Sequence, residues 1–310
     1  MEAKLDKNCF EPLKAEKNGE NEIVKPSETY WQDAWRRLKE NKVAMVSLCV
    51  LIFLVVLCIV GPMVSKYDYY TNDLTKGYLK PSKEHYFGTD NLGRDLYVRV
   101  LTGTRISFSV GIVAAAINFI IGCLYGGIAG FYGGMTDNIM MRIVDIIYSI
   151  PTELYVILLM VALKDKSGNG LLNIYIALGI SYWTGMARIV RGQILTLKQQ
   201  EFILAAKSLG AKNSRLIIKH LIPNCMGPII VTLTMSIPSA IFTESFLSFI
   251  GLGVNAPIAS LGSLCSDSLQ YYRQYPYTLF FPALMLCIMM LAFNLFGDGL
   301  RDALDPKMRK

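Results

Sequence analysis

Residues that commonly carry catalysis are few in this chain, and their spacing is not that of an enzyme. The two histidines, His85 and His220, are far apart in the sequence, and no G-x-S-x-G, H-E-x-x-H or glycine-rich G-K-[ST] motif occurs. The seven cysteines show no C-x-x-C spacing, which argues against a zinc or dithiol site. We therefore predict a non-catalytic protein that binds no metal and no cofactor of its own.

The most informative polar segment is EFILAAKSLGAKNSRLIIKHLIPN, from Glu201 to Asn224. Its periodicity predicts two short helices with a break at Gly210, the residue type best suited to a left-handed helix terminus. Asn213 or Ser214 is expected to cap the second helix, and Pro223 to end it. The sequence thus predicts a helical hairpin.

The two helices of this hairpin differ in surface character. Ala205 and Ala206 leave room for the backbone of a partner, whereas Lys212, Arg215 and Lys219 share one face of the second helix. Periodicity alone leaves two interpretations open, a helix resting on the membrane surface and an element that docks another protein.

A second candidate site lies near the end of an apolar run. Glu244 is the only ionisable residue between Asn224 and Asp267, so its carboxyl group should face protein or a watery cavity rather than lipid. It either lines a pathway or braces the following segment through hydrogen bonds, and we favour the bracing role. Tyr271 and Tyr272 belong to an aromatic cluster of the kind found at membrane interfaces.

The elements that must position these residues are membrane helices. Hydrophobic residues make up 53% of the chain and charged residues 18%, below the roughly 25% usual in soluble domains. The charges gather in polar stretches between long apolar runs. We predict an all-α integral membrane protein with six transmembrane helices, at residues 43–65, 106–130, 140–163, 171–189, 226–250 and 277–295.

The remaining segments are assigned from composition. The predicted segments are a disordered tail (1–29), an amphipathic interfacial helix (30–42), a loop (66–105), the hairpin loop (190–223), a Gly/Pro/Ser-rich segment (251–276) and a polar tail (298–310). Residues 106–297 form one predicted domain of five helices. With both termini inside, 21 of the 31 Lys and Arg residues lie in inside segments, which favours cytoplasmic termini and places 66–105 outside.

The hairpin resembles the EAA motif of ABC importer permeases, E-x3-A-A-x3-G followed by I-x4-L-P. The matching residues are Glu201, Ala205, Ala206, Gly210, Ile217 and Pro223. Ile222 replaces the leucine before the proline, a conservative departure.

Other segments resemble the C subunits of dipeptide/oligopeptide permeases. They are WRRLKENKVAM (35–45), YFGTDNLGRDLYVRVLTGTRISFSVG (from Tyr86), ARIVRGQILTLKQQEF (187–202), ESFLSFIGLGVNAPIASLGSL (244–264) and GDGLRDALDPKMR (297–309). Because the resemblance runs from Trp35 almost to the C-terminus, the chain is identified as a member of this family of binding-protein-dependent importers.

The resemblance implies the type I ABC importer permease fold, with cytoplasmic coupling helices in the EAA loop. It also implies a multi-pass location in a bacterial or archaeal cell (inner) membrane, a second permease subunit, two ATPase subunits that use ATP and Mg, and an external peptide-binding protein. Segment 251–276 is expected to be the extracytoplasmic scoop that meets the binding protein, and Glu244, Tyr271 and Tyr272 are candidate pathway residues. No feature predicts nucleic-acid binding.

Two alternatives stay open at this stage. Similar C subunits serve nickel or other small solutes, and the spans do not discriminate among these. An ion-coupled secondary transporter would show helix breaks at mid-membrane, inverted repeats and central ionisable residues. Asp145, Glu153 and Glu244 are the candidates for such residues, and no internal repeat is visible.

Overall fold

The computed structural model describes residues 29–163 and 170–305, and in these ranges it is helical with no β-strand. The predicted tail 1–29, apart from Thr29, and the last part of the predicted tail 298–310 lie outside the described residues. The α-helices are α1 (Tyr30–Glu40), α2 (Lys42–Val64), α3 (Leu96–Tyr132), α4 (Gly134–Tyr148), α5 (Thr152–Ala162), α6 (Leu171–Leu197), α7 (Glu201–Ser208), α8 (Asn213–Arg215), α9 (Ile222–Asn224), α10 (Met226–Phe249), α11 (Leu261–Ser268) and α12 (Tyr277–Leu304).

Four of the described helices, α2, α3, α10 and α12, are long and apolar enough to cross a membrane, and α4 with α5 makes a fifth span if this bent pair counts as one. The sixth predicted span lies in α6, which is 27 residues long but does not reach the hydropathy of the other four. Since α6 packs along α3, much of its surface meets protein rather than lipid. The count of six therefore stays a prediction.

Three predicted boundaries were wrong because polar residues do not interrupt the helices that carry them. Helix α3 begins at Leu96, where the Asp95 carboxylate accepts from the Val98 amide at 2.9 Å, so the loop starting at 66 ends ten residues before 105. Helix α6 continues to Leu197, so the first residues of the predicted loop 190–223 are helical. Helix α12 continues to Leu304, so most of the described part of 298–310 is helical rather than a tail.

The third predicted span, 140–163, is not one helix. Helices α4 and α5 meet at an angle of 89° across a short break that contains Pro151. Proline disfavours the helical conformation of the residue before it, here Ile150, and has no N–H to continue the hydrogen-bond ladder. The span is therefore bent, and the residues at the break, Ile150, Pro151 and Glu153, are exposed on the isolated subunit.

The centre of the bundle is the contact between α3 and α6. Gly122, Gly126 and Gly130, spaced four residues apart, face α6, and a Cβ atom at Gly126 would lie 2.3 Å from the carbonyl oxygen of Ala187. This glycine stripe lets α6 of the same chain approach α3 closely.

Residues 65–95 fold into a compact unit between the end of α2 and the start of α3. The buried His85 Nδ1 lies 2.8 Å from the Asp95 carboxylate, and Arg94 donates to Asp90 at 2.7 Å. The ring of Tyr78 stacks on Tyr275 with 4.2 Å between the ring centroids. This stack fixes the segment 251–276 to the unit.

Candidate coupling loop and membrane pathway

The predicted break of the hairpin at Gly210 is confirmed. Helix α7 ends just before Gly210, which has φ = 80°, a left-handed conformation that glycine adopts at no steric cost. The amide of Gly210 donates to the carbonyl of Lys207 at 3.0 Å, and that of Ala211 donates to Ala206 at 3.1 Å. These bonds satisfy carbonyl groups that the end of α7 would otherwise leave without partners.

The predicted cap of the second helix was wrong, and so was its end at Pro223. Lys212 precedes α8 and provides no side-chain cap, and the chain continues through Pro223 into α10. Residues Leu216–Leu221 form a π-helical turn, which is wider than an α-helical one. This widened turn accommodates the ring of Pro223 and its missing N–H, so the proline does not stop the helix.

One face of the hairpin is anchored in the membrane domain. The side chains of Ile203, Ile217 and Leu221 are buried in a cluster that includes Val190 and Ile194 of α6. The opposite face is open, and it includes the exposed apolar side chains of Phe202, Leu204 and Leu209. The loop is therefore rigidly attached to the helix bundle while presenting an apolar surface away from it.

The six residues of the EAA motif divide between these two faces. Glu201, Ala205 and Gly210 are exposed, and Ala206 is half-buried. Ile217 is buried in the anchoring cluster. Pro223 is exposed at the mouth of a cavity of about 810 Å³ that Tyr30 and Arg301 also line.

Two ion pairs behind the hairpin were not predicted. Arg191 of α6 binds Asp137 of α4 with both branches of its guanidinium group, and Lys198 donates to the carbonyl of Gly130 at 2.8 Å. Asp145 pairs with Arg188 of α6 at 2.6 Å. These contacts join α3, α4 and α6 next to the loop.

Glu244 lies on α10 with no exposed surface. Its carboxylate accepts from Ser107 of α3 at 2.9 Å and from Ser248 at 2.8 Å, with Ser245 at 3.4 Å. Ser260, which caps α11, also hydrogen-bonds this carboxyl group. The arrangement joins two membrane helices to the segment 251–276, as the bracing role requires.

Tyr271 and Tyr272 are not part of the Glu244 cluster. The ring of Tyr271 lies 5.2 Å from that of Tyr78, whose pKa is raised by burial to about 12, and the side chain of Tyr272 is exposed. The three residues predicted as pathway candidates thus occupy separate places.

A polar cleft of about 370 Å³, which was not predicted from the sequence, opens between four of the helices. The cleft is lined by residues of α5, α6, α10 and α12, among them Glu153, Tyr182, Ser239, Thr243 and Asn294. In the sequence, Glu153 is a candidate central ionisable residue of an ion-coupled transporter. The sequence signal for a polar site here is a carboxylate two residues after Pro151, next to an apolar run.

The arrangement is that of an all-helical membrane protein with a helical hairpin outside its long apolar helices, and its similarity to known proteins defines its class. Residues 122–310 match the family of binding-protein-dependent transport system inner membrane components, and residues 29–81 match the N-terminal TM domain of oligopeptide transport permease C. The chain belongs to this family of multi-pass inner membrane permease subunits.

Curated relatives match along nearly the whole chain. The oligopeptide transport system permease protein OppC of Bacillus subtilis is 52% identical over 99% of both chains. The dipeptide transport system permease protein DppC of the same organism is 52% identical over 96% of this chain and 92% of its own. OppC of Escherichia coli is 43% identical over 90% and 92%.

A solved structure shares the fold. A chain of the inward-facing MetNI methionine ABC transporter superposes with a TM-score of 0.51 at 18% identity, covering 67% of this chain and 96% of that one. The all-α permease fold predicted from the sequence is confirmed.

Proposed function

We propose that this chain and a second permease subunit together form the membrane pathway of an ABC importer for di- and oligopeptides. The curated relatives with the names oligopeptide and dipeptide permease match over nearly its full length, which supports this substrate class. The chain itself is not catalytic. ATP and Mg belong to the two ATPase subunits that such a permease requires.

The hairpin 201–224 is the observation that carries the coupling role. Its buried side anchors it to α6, and its exposed apolar side chains, Phe202, Leu204 and Leu209, offer a surface for an ATPase subunit. A rigid element of this kind transmits force when the partner binds it differently in its ATP and ADP states. The proposal therefore places the hairpin and both termini in the cytoplasm.

At the other side of the membrane, segment 251–276 is proposed to meet the peptide-binding protein. The contacts of Glu244 with Ser260 and of Tyr78 with Tyr275 hold this segment against the helix bundle. Docking of the binding protein there is thereby linked mechanically to α10.

Growth of a deletion strain on defined peptides as the sole source of an essential amino acid tests the substrate class. We expect the gene for this chain to restore growth on di- and tripeptides and on longer peptides, but to leave growth on the free amino acid unchanged. Restoration of nickel uptake or of the uptake of another small solute, without peptide growth, would assign the alternative substrate.

A further inference from the structure

The polar cleft between α5, α6, α10 and α12 lies at the depth of the membrane centre. Tyr182 follows the start of α6 by eleven residues and Ser239 follows the start of α10 by thirteen. At about 1.5 Å per residue both positions fall about 17 to 20 Å along their helices, near the middle of a hydrocarbon layer about 30 Å thick. Tyr182 and Ser239 therefore lie near mid-membrane, and Asn294, one residue before the end of the predicted span 277–295, extends the cleft toward one membrane surface.

Among the residues that the structure describes, Glu153 is the one charged residue that lines this cleft. Its side chain is exposed on the isolated subunit, and in the part of the chain that the structure describes it forms no ion pair and no hydrogen bond. A carboxylate at mid-membrane that faced lipid would cost several kcal/mol. The cleft consequently faces an aqueous passage or another protein chain, and none of the described residues supplies a positive partner for Glu153.

The other polar groups of the cleft are oriented by their own hydrogen bonds. The Tyr182 hydroxyl lies 2.8 Å from that of Thr243 and donates to the Ser239 carbonyl at 3.2 Å. The Asn294 amide donates one N–H to the Met290 carbonyl, which leaves its oxygen and second N–H available. These polar groups can hydrogen-bond to the N–H and C=O groups of a peptide backbone. Such bonds do not depend on the side chains of the peptide.

The remaining wall of the cleft is apolar. It is lined by Phe242, Pro238 and Met290, which do not select for a charged or a polar side chain on the solute. A solute with variable side chains but a constant ammonium group would therefore find one fixed ionic partner, a few backbone partners and a permissive wall. Amino-terminal ammonium groups are the constant cation of unmodified peptides.

From this geometry we infer that Glu153 forms a subsite of the translocation pathway that transiently binds the ammonium group of the passing solute. The inference deepens the proposed function and rests on it. Tyr182, Thr243 and Asn294 are positioned to contact the adjacent backbone. Binding at this point would lower the barrier for a charged group in the middle of the membrane.

The test uses the complete transporter with its binding protein in proteoliposomes, with uptake of labelled trialanine and ATP hydrolysis measured together. We expect Glu153→Gln to lower uptake per ATP about tenfold, the factor for losing one charge-assisted hydrogen bond, while stimulated ATP hydrolysis persists. Glu153→Asp should keep most of the uptake. The matched control is Glu40→Gln, which removes an exposed carboxylate at the end of α1.

Chemical rescue separates charge from packing. Glu153→Cys should be impaired, and modification with an anionic ethylsulfonate thiosulfonate should raise its uptake, whereas the cationic trimethylammonium reagent should not. Wild-type transporter treated with both reagents controls for the native cysteines. Absence of labelling at position 153 would overturn the inference, since the cleft would then be closed to water.

Two other outcomes also contradict the subsite. Wild-type uptake per ATP by Glu153→Gln would refute it and leave the proposed function standing. Loss of assembled transporter in this variant would show that Glu153 pairs with a cation of a neighbouring chain. A wild-type complex that moves no peptide would instead refute the proposed function.

Discussion

Arg191 of α6 donates two parallel hydrogen bonds to the carboxylate of Asp137 of α4, from Nε to Oδ1 at 2.7 Å and from Nη2 to Oδ2. The pair lies where α6 leaves the membrane domain for the hairpin, six residues before the end of the helix. Because α4 is the first half of the bent span, the pair connects the loop to the element that carries the break at Pro151. A displacement of the hairpin would reach α4 through this contact.

Replacing Arg191 by lysine tests the importance of this two-pronged contact. The ammonium group of lysine is a point charge and cannot reproduce the fork, so we expect Arg191→Lys to lower the free energy of unfolding by about 1 kcal/mol and to reduce uptake. Arg188→Lys is the matched control, since Arg188 meets Asp145 through a single nitrogen in a more exposed pair. Denaturant titration of the purified variants measures the free energy of unfolding of each. Equal decreases for Arg191→Lys and Arg188→Lys would contradict a special importance of the two-pronged contact.

The turn at Gly210 predicts a coupling defect without loss of assembly. Proline cannot adopt φ = 80° and lacks the N–H that donates to Lys207, so Gly210→Pro should break the hairpin and abolish peptide uptake. Gly210→Asn is the control, because asparagine tolerates the left-handed region and nothing lies within 4 Å of an added Cβ atom. Both variants should reach the membrane in wild-type amounts. Normal uptake by Gly210→Pro would contradict the proposed coupling role of the hairpin 201–224.

The elements that the sequence predicted well are those that depend on local chemistry. The helix Lys42–Val64 follows from an uncharged run long enough for a bilayer, and the break at Gly210 follows from the freedom of glycine at positive φ. Both are decided within a few residues. The all-α class follows in the same way from the repeated apolar runs.

What the sequence could not reveal depends on partners distant in the chain. The predicted start of α3 came too late because Arg99 is charged, yet this residue is buried in the helix near Asp90 and Asp267. Asp145 binds Arg188, 43 residues away, instead of its neighbour Arg142. Such pairs are set by the packing of helices, and periodicity in a single sequence carries no record of them.

Glu244 is expected to hold α3, α10 and the segment 251–276 together. Glu244→Ala leaves the hydroxyl groups of Ser107 and Ser248 without their common acceptor in a buried site, and should lower the free energy of unfolding by about 3 kcal/mol. Glu244→Gln retains one acceptor oxygen and should cost about 1 kcal/mol. Denaturant titration in detergent measures the free energy of unfolding of the wild-type chain and of both variants. A stable Glu244→Ala variant that loses only uptake would assign Glu244 to the pathway instead.

Substitution of Gly126 tests the close packing of α3 and α6. The added methyl group of Gly126→Ala would lie 2.3 Å from a backbone oxygen of α6, at Ala187, which cannot rotate away. The two helices must then separate, and overpacking of this kind costs about 1 to 3 kcal/mol.

Gly185→Ala, on α6, is the matched control because nothing lies within 4 Å of its added Cβ atom. It should be neutral or stabilise the helix by up to about 1 kcal/mol. The free energy of unfolding of the purified chain measures both, and an equally stable Gly126→Ala variant would mean that the two helices are not held at this distance.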